Sequence, residues 1–135
     1  MSSAEENKAL VRRLHELVDG GDIEAMEKLL APDFVDHSLL PDQDPGREGY
    51  LQSVAKEHSI FSNIRHIIED QVAEGDKVTS RITASRIHDR GENLSVAPTG
   101  VKFKTTAIEI HRIVGASSQT SGARAEASKR QRASV

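Results

Sequence analysis

The chain has 135 residues, 36% of them apolar and only 3% aromatic, with no cysteine and a net charge of −3. That length suits one domain around one core lined by Leu, Ile, Val and Ala, and the lack of cysteine excludes disulfides, thiolate metal sites and thiol nucleophiles. The opening MSSAEENKAL is polar and acidic and no apolar run approaches the ~18 residues of a membrane span, so a cytoplasmic protein without a membrane partner is expected.

Ser3 followed by Glu6 forms a capping box, and Leu10, Leu14, Leu17 and Val18 then fall on one face, which predicts a helix from about Ala4 to Val18. Asp19-Gly20-Gly21-Asp22 stops it, and Asp22 caps a short helix carrying Ile23, Met26, Leu29 and Leu30 that Pro32 closes. Phe34 to His37 is extended, and Ser38 to Asp44 is a loop. Asp44 as N-cap with Pro45 at the first helical position begins a third helix, whose inner face carries Leu51, Val54, Ala55, His58 and Phe61.

After Asn63 the residues become β-branched. Ile64–Ala73 and Lys77–His88 read as two antiparallel strands joined by Glu74-Gly75-Asp76, and Val101–Val114 reads as a third after a loop. Helices followed by a meander is the α+β pattern, a curled antiparallel sheet with three N-terminal helices across its open side and one apolar pocket between them. From Gly115 the composition turns to Ser, Ala, Gly, Gln and Arg, so the domain is expected to span residues 1–114, with a low-complexity tail over 115–135. Residues 1–114 hold 14 Lys/Arg against 20 Asp/Glu, whereas the tail holds four cations against Glu126. No aromatic residue interleaves with the tail's charges, which argues against a nucleic-acid partner. The tail is expected to form no regular continuation of the sheet over most of its length, leaving an unpaired edge along Val101–Val114.

Three stretches, ENKALVRRLHELVDGGDIEAMEKLLAPDFVDHS, the GREGY helix start, and IEDQVAEGDKVTSRITAS running to APTGVKFKTTAIEIHRI, resemble the SnoaL-like polyketide cyclases of the cystatin-like cone superfamily. The resemblance implies a conical pocket for an apolar polyketide, steroid-like or terpenoid ligand. It further implies cyclase or isomerase chemistry in which a carboxylate base forms an enolate without metal or cofactor, and a homodimer. By motif position, Asp36 in FVDHS falls where relatives carry a polar pocket residue or base, and Glu109 in AIEIHRI where cyclases place a pocket His. His111 shares a strand face with Glu109.

Catalysis is therefore assigned to Asp36, Glu109 and His111, and ligand contact to Leu14, Val18, Phe34, His37, Tyr50, Val54, His58, Phe61, Phe103 and Ala107. His15, His66 and His88 show no metal-ligand spacing, and no HxH or HExxH suggests a metal. The chain departs from the family at its end: the catalytic Asp of the last strand would fall near Gly122 and Ala123, where there is no carboxylate. The alternative reading is thus a non-catalytic ligand-binding or dimerisation module. Ile108 and Ile110, facing away from Glu109, would supply its interface.

Overall fold

The computed structural model describes residues 3–39 and 41–114, together with the backbone of the strand Gly122–Ala125. α1 (Ala4–Gly20) begins at the expected capping box, with the Ser3 and Glu6 side chains each bonding the other's backbone. It runs two residues past Val18 because Gly21, at φ 66, turns left-handed and returns its N–H to the Leu17 and Val18 carbonyls. Asp22 caps α2 (Ile23–Leu29) by accepting from the Ala25 N–H.

The third helix, α3 (Arg47–Ile60), starts later than its proline suggests, with Gly46 at the N-cap. The Asp44 side chain accepts from the Gly46 N–H and makes a local turn in place of a cap. Ala55, placed on the inner face by periodicity, is exposed, and Phe61 belongs to the following strand.

β1 (Phe61–Glu74), β2 (Lys77–His88) and β3 (Lys102–Val114) form an antiparallel meander, and the short β4 (Gly122–Ala125) adds to it, giving the order β1-β2-β3-β4. Register shifts between Ser62 and Arg65 and between Ile68 and Asp70 mark irregularities in β1, which bend and twist a strand. The expectation of an edge left open along the whole third strand is corrected here. His111, Arg112, Ile113 and Val114 pair with Ala125, Arg124, Ala123 and Gly122. A free strand edge supplies ladder partners to a segment that has little strand propensity of its own.

The side-chain alternation gives the sheet two faces. Val78, Ser80 and Ile82 of β2 are buried and stand opposite His111, Glu109 and Ala107 of β3. On the outer face Arg81 pairs with Asp70 at 2.7 Å, and Ile67, Val72 and Ile108 are exposed. α1 packs its Val11, Leu14, Leu17 and Val18 face into one core with Met26, Leu30, Phe34, Leu51, Val54, Val78 and Ile113. Burying each large side chain there contributes roughly 2 kcal/mol.

Candidate functional site

Polar residues interrupt the apolar stripe of α1, Asn7 near its start and His15 and Asp19 further along. His15 and Asp19 lie one turn apart on the face turned to the sheet, so their side chains meet strand residues. His15 is 5% exposed, and its Nε2 lies 3.2 Å from Glu109 Oε1. Asp19 is bound by His66 of β1, whose backbone N–H donates at 2.9 Å and whose Nδ1 lies 2.5 Å from the second oxygen. The rings stack in series: His15 and His66 have centroids 5.2 Å apart, and His111 stands edge-on to His15 at 6.0 Å. One helix and two strands thus bring three imidazoles and two carboxylates together behind the inner sheet face.

Burial of Glu109 on its own raises the carboxyl pKa, but the contact with His15 and the electrostatic influence of the surrounding His15, His111 and His66 rings outweigh it and hold the group down at about 2. Glu109 is a fixed anion at neutral pH. His111 is 4% exposed, and burial lowers its pKa to about 4 against the opposing charges of Glu109 and Asp36. It is a neutral imidazole at neutral pH. Its Nδ1 and both ring nitrogens of His15 have no partner in hydrogen-bond geometry among the described residues, which is uncommon for buried polar atoms.

Asp36 follows Phe34 and Val35 on the segment that crosses to α3. It is 7% exposed, and its carboxylate accepts from the Ser38 N–H at 2.9 Å and the Gln43 side-chain amide at 2.8 Å. Its backbone N–H donates to the Pro45 carbonyl, so it also pins the loop. His37 beside it is exposed. Leu14, Val18, Phe34 and Val54 are buried in the core, and Tyr50 packs its ring 5.1 Å from Phe34. His58 is tied to the end of α1 by a 2.7 Å contact from Nε2 to the Val18 carbonyl.

Further along the inner face, Phe61, Arg86, Asn93, Phe103 and Thr105 line a cleft of about 320 Å³. Phe103 is 42% exposed and edge-on to Phe61, over which Arg86 lies while pairing with Glu57 at 2.8 Å. Thr105, Ala107, Glu109 and His111 continue along the same face, so Thr105 at the cleft stands about 13 Å from Glu109 along the strand. A larger groove of about 400 Å³, lined by Asn63, Arg65, Ser85, Ile87 and Lys102, opens on the other face and holds none of the buried titratable groups.

His15, Asp19 and His66 have no motif to announce them. The available signal was the helical spacing of His15 and Asp19 on a largely apolar stripe that also carries Asn7, since a buried polar group is more informative than an exposed apolar one. Among the described residues no cluster of three or more His, Asp or Glu is arranged to hold a metal, and no helix is long and apolar enough to cross a membrane.

No curated protein matches the chain. Solved structures do. TsrD from Streptomyces laurentii superposes with a TM-score of 0.75 at 21% identity, covering 93% of this chain and 92% of its own. AclR from Streptomyces galilaeus, assigned as a hydroxylase, gives 0.73 at 24%, covering 92% and 91%. IdmH from Streptomyces antibioticus, assigned as a polyketide cyclase, gives 0.70 at 26%, covering 89% and 91%. The sequence profile of the SnoaL-like polyketide cyclases matches residues 8–117, nearly the whole helix-and-meander unit, and the chain belongs to that family.

Proposed function

We propose that the protein is a cofactor-independent cyclase or isomerase that forms an enolate from a carbonyl-bearing apolar polyketide. The observation that carries this is the buried His111, kept neutral beside a fixed Glu109 anion, with its Nδ1 unpartnered. A neutral imidazole donates a hydrogen bond to a developing enolate oxygen without having first stabilised a ground-state anion. Asp36, whose charge reaches His111, takes the carbon-bound proton. Glu109 holds His15 and sets the local field, and the Phe61–Phe103 cleft receives the apolar body of the ligand. Asp36 stands in for the family's last-strand carboxylate, since Gly122 and Ala123 of β4 carry none.

The test is hydrogen exchange. With ortho-acetonylacetophenone in heavy water, wild-type protein is expected to catalyse deuterium uptake at the acetyl methyl. Asp36→Asn and His111→Phe should each slow it about a hundredfold. Uptake at the wild-type rate in Asp36→Asn would remove Asp36 as the base.

A further inference from the structure

The last turn of α1 is an unfavourable place for a carboxylate, because the helix dipole is negative there and no basic side chain occupies that turn. Asp19 is nevertheless there, 26% exposed, with both oxygens engaged by one residue. A carboxylate only accepts, so the 2.5 Å contact places a proton on His66 Nδ1 and leaves Nε2 as the position that gains and loses the second one. His66 Nε2 has no hydrogen bond among the described residues, and the side chain is 15% exposed, neither sealed nor on the open surface. Its ring lies against His15, which touches Glu109. An orienting carboxylate, a ring fixed in one tautomer and a free Nε2 make up the arrangement of a general acid–base pair.

We propose that the Asp19–His66 pair is the proton donor of this titratable cluster, with His66 Nε2 delivering the proton that completes ring closure and Asp19 acting as a positioning residue. This rests on the enolate chemistry proposed above. Asp36 takes the proton from the substrate carbon, and the electron pair left behind forms the enolate. The enolate carbon attacks the second carbonyl carbon, a C–C bond forms, the C=O π bond breaks, and its electrons become an alkoxide. Protonated His66 gives its Nε2 proton to that oxygen and becomes neutral. Water then carries the proton from Asp36 away and restores the one on His66, so no net proton, oxidant or reductant is consumed. Burial works against the charged form of His66, but the hydrogen bond and charge of Asp19, with the charges of Glu109 and Glu57, raise its pKa above 6.5. The groups facing it are His15 and Asp19 from α1, Glu57 from α3, and Glu109 from β3. Without Asp19 the protonated ring would lose the first of the contacts that favour it.

A purely structural Asp19–His66 clamp, tying α1 to β1, would affect exchange and closure alike. The experiment therefore follows both reactions of ortho-acetonylacetophenone, methyl deuterium uptake and ring closure, against pH with the full chain. Closure by wild type should fall as pH rises through the raised His66 pKa. His66→Gln should abolish that limb and slow closure about a hundredfold more than it slows uptake, while Asp19→Asn should move the limb to lower pH. An NMR titration of the His66 ring nitrogens, which needs no substrate, should give a pKa above 6.5 that drops in Asp19→Asn. Equal losses of uptake and closure, or a limb that neither variant moves, would overturn the donor role while leaving the enolate reading intact. No uptake by wild type would instead overturn the enolate reading and the donor role together.

Discussion

His15 Nε2 and Glu109 Oε1 stand 3.2 Å apart with both side chains largely shielded from water, joining α1 to the last long strand through one charged contact. Glu109 has a folded pKa of about 2, below its ordinary 4.5, so the stability it contributes is fully present above pH 4.5 and is lost as pH falls through 2. Replacing His15 by Leu leaves that anion without its main partner, and the cost at pH 7 should be about 3 kcal/mol. The difference from wild type should shrink below pH 4.5. Urea denaturation at pH 7 and pH 3 measures both, and a loss independent of pH would contradict this account.

His111 gives an acid-side signature. Its folded pKa, about 4, lies below the ordinary 6.5, so the unfolded chain takes up its proton first as pH falls. The contribution is complete above pH 6.5 and is lost between there and about pH 4, by about 3 kcal/mol. His66 acts oppositely: its raised folded pKa adds stability below 6.5 that is lost as pH rises through the folded value. Melting temperature across pH 4 to 8 should therefore fall on the acid side in wild type, and His111→Phe should flatten that slope.

Among the described residues Gly49, in the GREG motif, is the glycine that the fold constrains most by space. A Cβ there would stand 2.0 Å from the Asp44 carbonyl oxygen, because the loop bearing Asp44 lies directly on α3. Gly49→Ala should cost about 3 kcal/mol or more. Gly75, at φ 59 with open space around it, should cost only about 1 kcal/mol on the same change. Paired thermal melts separate the two, and similar losses would show that the loop yields.

Ile67, Val72 and Ile108 are exposed on the outer sheet face, away from the titratable cluster. A second copy of the chain is the expected cover. Light scattering at micromolar concentration should give a dimer for wild type and a monomer for Ile108→Glu. A monomeric wild type would remove the proposed interface.

The helices and the meander were readable along the chain because their causes are local. The Ser3–Glu6 box, the left-handed Gly21, the Asp22 cap and the change to β-branched residues after Asn63 each act within a few positions. Strand alternation likewise put Glu109 and His111 on one face before any contact was known. The start of α3 misled because proline at a first helical turn and proline in a preceding loop look alike in sequence, and the packing of the Asp44 loop against Gly49 favoured the second. β4 was hidden for a different reason: its residues have little strand propensity, and they pair only because β3 offers an open ladder. The site divides in the same way. Asp36, Glu109 and His111 could be reached by motif and parity. The partnership of Asp19 with His66 and of His15 with Glu109 depends on how α1 crosses the sheet and on the register that sets Glu109 opposite Ser80, and those are long-range contacts that no local pattern encodes.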